Sequence, residues 1–348
     1  MIQLLSHPLQ FHFEAGTSRG VLTQKTSYFI QIEQDGKIGL GEAGPLRGLS
    51  PEFEEDCLPA FQKAIATIKQ LPENPEDIDA LVQTIPFEQP SFRAALEMAL
   101  LDYFHAKDGV YFDNSFARGV SSLPINGLIW MGSPEFMRQQ IAEKLAEGYT
   151  CLKLKIGAID FEQEIEIISE IRKHFSAAEL TIRVDANGAF SPQDAPSKLE
   201  RLAKLDIHSI EQPIQAGQWK AMHALCALNI LPIALDEELI QAKDPQALLE
   251  SIQAPYIILK PSLLGGFRAS NEWIQAAETV GTDWWITSAL ESNIGLQAVA
   301  QFTGEYRNPL PQGLGTGKLY TNNFDCGLSI QKGHIYSNPH TKRTNPFA

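Results

Sequence analysis

Apolar and polar positions alternate along residues 27–33 (SYFIQIE) and 37–44 (KIGLGEAG), and Gln34-Asp35-Gly36 between them supplies turn chemistry, so a β-hairpin is predicted there. Strand-like alternation runs through most of residues 1–45. The period then lengthens. Residues 53–70 carry Leu58, Phe61, Ala64, Ile65 and Ile68 on one helical stripe, and residues 88–107 do the same with Phe92, Ala95, Leu96, Ala99, Leu100 and Tyr103. The first third, residues 1–120, therefore reads as an α+β unit.

From Leu123 onward the rhythm becomes strand, helix, strand. Strands are predicted at 123–129, 151–156, 180–184, 209–212, 231–235, 256–259, 284–287 and, last and shortest, 310–312. Helices between them open at Ser133-Pro134, Ser191-Pro192 and Asp244-Pro245, where a capping side chain precedes a proline. Eight strands at intervals of about 25 to 30 residues predict an α/β fold, a (β/α) TIM-type barrel over residues 121–318. A doubly wound sheet competes, but no Gly-rich dinucleotide turn follows the first strand. Residues 319–348 alternate again around Lys332-Gly333 and have no place in the barrel wall. The tail is expected to pair back with the N-terminal unit, so that this third and the tail form one α+β capping domain.

Composition narrows the partners. With 348 residues, 44% of them hydrophobic, the chain can bury a large core, and its net charge of −14 argues against nucleic acid or an anionic membrane. A small anionic substrate stays open, because a local cation can reverse the field in one pocket. Cys57, Cys151, Cys226 and Cys326 form no CxxC pair, and the eight histidines never fall at metal-ligand spacing. No leader and no apolar run of about 18 residues is seen, so a cytoplasmic protein is expected, with a homo-oligomer left open.

Charged residues recur at the ends of the predicted strands: Lys153 and Lys155 on the second, Asp185 on the third, Glu211 on the fourth, Asp236 on the fifth and Lys260 on the sixth. A barrel brings such ends onto one rim, where catalytic groups sit. Two carboxylates about 4 Å apart repel by about 4 kcal/mol in an effective dielectric of about 20. Oxygen ligands without histidine or cysteine suit a hard cation, Mg²⁺ first, with Mn²⁺ as a substitute. Separate ion pairs with the lysines are the alternative. A lysine near a metal and a second ammonium favours its neutral form and becomes a usable base. Lys155 and Lys260 flank the acids and can address opposite faces of a bound substrate. Lys153, two residues before Lys155, is then either the neighbour that depresses its pKa or a second anion-binding lysine. The run 185–188 (DANG) is also ordinary turn chemistry. Residues 313–318 (GLGTGK) lack the spacing of a phosphate loop.

As an ordered set, Lys153-x-Lys155, Asp185-Ala186-Asn187, Glu211-Gln212-Pro213, Asp236-Glu237 and Lys260-Pro261 resemble the enolase superfamily, muconate-lactonizing subgroup, over essentially the whole chain. The stretches 41–46 (GEAGPL), 48–50 (GLS), 260–266 (KPSLLGG), 288–292 (SALES) and 313–317 (GLGTG), with Arg183 two before Asp185, resemble one branch of it in particular. That branch dehydrates 2-succinyl-6-hydroxy-2,4-cyclohexadiene-1-carboxylate to 2-succinylbenzoate in menaquinone biosynthesis. The resemblance implies Asp185, Glu211 and Asp236 as Mg²⁺ ligands, Lys155 as acid/base and Lys260 as the cation opposite. It implies supporting roles for Lys153, Arg183 and Asn187, the last as a hydrogen-bond donor at the rim. Gly265, Gly266, Gly315 and Gly317 would offer backbone N–H groups to the succinyl carboxylate, near Ser288 and Glu291, unless they serve only as turns. Arg19 and Lys25, in the loop 16–25, are expected substrate contacts. An N-acylamino acid racemase or dipeptide epimerase is the alternative, although the last loop lacks the paired aspartates expected to hold a peptide amine; muconate lactonization is a third.

Overall fold

The computed structural model describes residues 1–17, 20–157 and 159–348. Strands β1 (Ile2–Thr17), β2 (Gly20–Gln34) and β3 (Lys37–Ala43) form an antiparallel sheet in that order. The β2–β3 turn is the predicted one: Gln34 pairs with Lys37, and Asp35 and Gly36 take φ of +54° and +73°. Two left-handed residues match the twist of the strands they join.

Helices α1 (Leu58–Ile65), α2 (Ile78–Val82) and α3 (Pro90–His105) follow. The helix expected over 53–70 is shorter than its apolar stripe, because Pro59 is tolerated only in a first turn and so sets the start at Leu58. Helix α3 lies directly on β3: a Cβ at Gly39 or Gly41 would come within 2.0 Å of Ala99 O or 1.9 Å of Ala95 O. Phe92, Ala95, Leu96 and Ala99 of α3 belong to the core under the sheet, while Ala94 and Met98 belong to the barrel core. A helix apolar all round is buried all round, and α3 joins the two cores.

The barrel begins with β4 (Leu123–Pro124) and β5 (Gly127–Ile129). It continues through α4 (Pro134–Ala146), β6 (Cys151–Lys155), α5 (Phe161–His174), β7 (Thr181–Asp185), α6 (Ala195–Ala203), β8 (Ser209–Glu211) and α7 (Trp219–Ala227). Then come β9 (Ile233–Leu235), α8 (Pro245–Ile252), β10 (Tyr256–Leu259), α9 (Pro261–Leu264), α10 (Phe267–Val280), β11 (Asp283–Ile286) and α11 (Asn293–Thr303). Strands β5 to β11 pair in parallel in chain order. The expected eighth strand is reduced to two bridges, Gln312 to Ile125 and Gly313 to Thr287, which close the ring. Pro309 and Pro311 have no N–H to extend that ladder.

The tail divides its pairing: residues 319–321 pair back with β1 of the N-terminal sheet, through His12 N to Leu319 O and Thr321 N to Gln10 O. Its hairpin, β12 (Leu328–Gln331) and β13 (His334–Ser337), pairs with β4 at the start of the barrel, not with the N-terminal sheet. Ile335 and Leu123, paired there, are both buried in the barrel core. The flanking residues do reach the N-terminal unit: Tyr320 bridges Phe11, and Arg343 Nη2 pairs with Asp102 of α3 at 2.7 Å.

Two carboxylates of the N-terminal unit seat it on barrel helices. Glu42 of β3 accepts from Ser292 N (2.8 Å) and Gly295 N (2.9 Å) at the start of α11. Glu97 of α3 accepts from Phe267 N (2.7 Å) and Arg268 N (3.0 Å) at the start of α10. Free N–H groups and the helix dipole favour an anion at both places. No helix among the described residues is long and apolar enough to cross a membrane.

Candidate active site

Parallel register sets the level of each charged side chain. Lys155 lies opposite Asp185, Asp185 opposite Glu211, and Glu211 opposite Ala234, two residues before Asp236. Because side chains alternate along a strand, Lys153 and Arg183 share the inward face of Lys155 and Asp185, one layer lower.

The acids are 0, 3 and 2% exposed (Asp185, Glu211 and Asp236), a burial that carboxylates accept only when paired. Lys153 Nζ lies 3.1 Å from Asp185 Oδ2 and also pairs with Glu211; Lys155 Nζ is 3.0 Å from the same Asp185 oxygen. Lys260 Nζ pairs with Asp236 and lies 4.0 Å from Glu211 Oε1. Burial would raise the Asp185 pKa, but Lys153, Lys155 and Lys260 outweigh it and hold the carboxyl below its ordinary value. Glu211 goes the other way: burial, with the Asp185 charge beside it, pushes it well above the usual range. Burial pulls the Lys153 and Lys260 ammonium groups down, yet the neighbouring carboxylates overcome it and hold both above the ordinary lysine value. Lys153 is thus a firmly paired cation.

The donor set fits a hard divalent cation. Three carboxylates converge without nitrogen or sulfur ligands, and Glu211 Oε1 is buried with no hydrogen-bond partner. As the side chains stand, no three acidic, histidine or cysteine residues among those described are grouped so as to hold a metal ion. The ammonium groups of Lys153 and Lys260 bridge the acids instead.

A cavity of about 380 Å³ opens beside this cluster, between the barrel and the N-terminal unit. Lys153, Lys155, Asp185, Asn187 and Lys260 line it, as do Lys25, Ser288 and Gly315; Glu211 and Asp236 lie behind and are reached through their ion pairs. Asn187, at φ +44°, accepts from Lys155 Nζ (2.8 Å) through Oδ1 and donates to Glu237 Oε1 (3.0 Å) through Nδ2. It thus holds the lysine with its oxygen and donates to a carboxylate next to Asp236 with its nitrogen.

Other expected residues fall elsewhere. Gly265 and Gly266 do not line the cavity: Gly266 N donates to Pro261 O, a Cβ at Gly266 would sit 1.9 Å from Glu97 Oε2, and that carboxylate is held by the N–H groups of the next two residues, Phe267 and Arg268. Gly317 packs against Asn293. Glu291 is also outside the lining; it accepts from Ser262 Oγ (2.5 Å) and Ala289 N (2.7 Å) and so shapes the segment after β11. Arg183 is buried inside the barrel, its guanidinium 3.9 Å from the Trp285 ring centre and its Nη1 donating to Pro311 O at 2.7 Å. It steadies the closing segment. Arg19 lies outside the described residues.

Sequence reasoning missed several groups. Asn126, Leu128, Trp130 and Thr287 line the cavity from the barrel, and Tyr28, Arg47 and Phe53 from the N-terminal unit. Gln212, in the sequence only a member of the Glu211-Gln212-Pro213 motif, accepts from Asp236 N (3.1 Å) through Oε1 and donates to Glu238 Oε2 (3.1 Å) through Nε2. A non-glycine residue at φ +40° directly after a buried acid was no visible signal in the sequence.

A family model described as "Enolase C-terminal domain-like" matches residues 137–339. The chain is 48% identical to the o-succinylbenzoate synthase of Desulfotalea psychrophila, over 93% of this chain and 95% of that protein. It is 30% identical to the N-succinylamino acid racemase of Thermus thermophilus, over 84% of this chain and 79% of that one. The crystal structure of MenC from Desulfotalea psychrophila superposes with a TM-score of 0.82 at 43% identity, covering 96% of this chain and 99% of that chain.

Proposed function

We infer that this chain, which belongs to the enolase superfamily, is a divalent-metal-dependent lyase of the o-succinylbenzoate synthase type. Its reaction is dehydration of 2-succinyl-6-hydroxy-2,4-cyclohexadiene-1-carboxylate to 2-succinylbenzoate, a step of menaquinone biosynthesis. The observation that carries the reading is the pair Lys155 and Lys260, both facing one cavity on either side of three buried carboxylates.

Asp185, Glu211 and Asp236 would hold the cation, for which Mg²⁺ is our assignment and Mn²⁺ a substitute. When bound, it supplies positive charge to the substrate carboxylate and so lowers the cost of carbanion character beside it. Lys155 removes the proton from the ring carbon that bears this carboxylate. The Lys260 ammonium faces the charge that develops, at the place where it develops. The hydroxyl on the adjacent carbon then leaves with the proton carried by Lys155, as water, and the ring becomes aromatic. Atoms balance: one proton and one hydroxide leave from neighbouring carbons, and no oxidant is needed. Asn187 keeps the Lys155 side chain directed at the cavity, and Lys153 offsets the charge of Asp185 and Glu211. Lys25, Ser288 and Gly315 are the substrate contacts we assign from the cavity wall.

Two lysines facing each other across a carboxylate also suit a two-base racemase, and the racemase relative keeps that reading alive. Purified protein with Mg²⁺ should aromatise the cyclohexadiene carboxylate, followed by the loss of diene absorbance, at a kcat/KM well above that for N-succinylamino acid racemization followed by polarimetry. The reverse order of the two specificity constants would assign the chain to the racemases.

A further inference from the structure

Leu290, in the segment between β11 and α11, has a φ of +62° and lines the cavity beside Ser288 and Ala289. Left-handed backbone is costly for a residue with a bulky side chain and persists only where the surroundings over-determine it. The surroundings here are specific. The Leu290 carbonyl oxygen accepts from Lys25 Nζ of β2 at 2.9 Å and from the Tyr320 hydroxyl of the C-terminal tail at 2.7 Å. Lys25 and Tyr320 thus reach one acceptor from opposite ends of the chain.

Both donors are fixed in turn. Lys25 Nζ lies 3.3 Å from Ser27 Oγ, which donates to Glu42 at 2.6 Å, and Glu42 also accepts from Ser292 Oγ at 2.5 Å. Tyr320 is 3% exposed, does not line the cavity and is bridged to Phe11. Burial pushes its phenol well above the usual range, so it remains a donor throughout the working pH range.

We propose that Lys25 and Tyr320 form a clamp on the Leu290 carbonyl that holds the 288–290 wall of the cavity in its left-handed turn. Lys25 is then a positioning residue that couples the N-terminal unit to the barrel wall, in addition to any contact it makes with substrate. The kinetic arm of this inference rests on the dehydratase reading; the structural arm does not.

Tyr320→Phe decides the matter, because it removes one donor to Leu290 O without changing charge, and Tyr320 itself does not line the cavity. Lys25→Met leaves Glu42 and Glu291 without their cation and can unfold the chain, so Lys25→Arg accompanies it. Hydrogen–deuterium exchange by mass spectrometry, without substrate, should show faster exchange in residues 287–292 for Tyr320→Phe and Lys25→Met, with Lys25→Arg near wild type. KM should rise about three- to tenfold in Tyr320→Phe, the range one hydrogen bond commands, with a smaller change in kcat. The double variant should fall short of the product of the single effects, because both donors serve one acceptor. The clamp is overturned if Tyr320→Phe matches wild type in exchange and kinetics. It is equally overturned if the Lys25→Met defect disappears with an analogue lacking the distal carboxylate, which makes Lys25 a substrate contact only. Wild-type protein that exchanges as expected but turns over no cyclohexadiene carboxylate would sink the dehydratase reading and leave the clamp standing.

Discussion

Replacing Asn187 by glycine isolates how much the orientation of Lys155 contributes to turnover. Glycine is the right substitute because position 187 has φ +44°, where a Cβ costs about 1 kcal/mol or more and alanine would confuse folding with function. Two contacts are lost, and the one that bears on Lys155 is the hydrogen bond from its ammonium, Nζ to Asn187 Oδ1 at 2.8 Å; the other is the bond from Asn187 Nδ2 to Glu237. Hydrogen bonds to charged groups contribute about 1.5 to 3 kcal/mol. At about 1.4 kcal/mol per decade, full transmission to the transition state would lower kcat about 10- to 150-fold. Lys155 keeps its Asp185 contact at 3.0 Å, so its position is only partly released and the lower end, about tenfold, is expected. Steady-state kinetics on the cyclohexadiene carboxylate, with thermal melts to confirm folding, measure this. The fall should lie in kcat with KM nearly unchanged, since Asn187 is assigned to the base and not to the substrate. An unchanged kcat, or a loss as deep as that of Lys155→Ala, would refute the orienting role.

Three other outcomes follow from the same geometry. Gly266→Ala should destabilise the protein by about 1 to 3 kcal/mol in urea titrations, because φ is +112° and the new Cβ would sit 1.9 Å from Glu97 Oε2. Burial raises the Glu97 carboxyl from 4.5 to about 7, so the folded state binds that proton more tightly than the unfolded chain. Its contribution to stability is therefore full below about pH 4.5 and is lost, by about 3 kcal/mol, as pH rises through 7, a slope that should flatten in Glu97→Gln measured side by side with wild type. Chelation of divalent cations should abolish turnover and lower the melting temperature, with both restored by Mg²⁺ or Mn²⁺, as a ligand bound only by the folded state requires.

Much of this protein is legible in its sequence, for local reasons. Strand alternation, the helix starts at Ser133-Pro134 and Asp244-Pro245 and the Asp35-Gly36 turn depend on neighbours a few residues apart, although the helix expected from Ser191-Pro192 starts only at Ala195, after a turn; charges on successive strand ends converge wherever a barrel forms. What was hidden is long-range. Gly265 and Gly266 read as a nest for a ligand, but Glu97, far away on α3, fills the space beside Gly266 and accepts from Phe267 N and Arg268 N. Two differences are local instead: Pro59 starts α1 later than the 53–70 stripe suggested, and the prolines at 309 and 311 leave the eighth strand only two bridges. Asn187 was visible as a rim residue, but its grip on Lys155 depends on a pairing between β6 and β7 that no single stretch encodes. The contribution of residues 45–55 to the cavity likewise requires the N-terminal unit to be seated on the barrel by Glu42 and Glu97.

The most direct test is the rate at which purified, Mg²⁺-loaded wild-type protein and Lys155→Ala aromatise 2-succinyl-6-hydroxy-2,4-cyclohexadiene-1-carboxylate. Wild type should produce 2-succinylbenzoate with loss of the diene absorbance, and Lys155→Ala, folded by its melting curve, should be slower by about 10² to 10⁴, the usual contribution of a general acid–base. A Lys155→Ala rate within a few-fold of wild type would contradict the assignment of that lysine to the proton transfer.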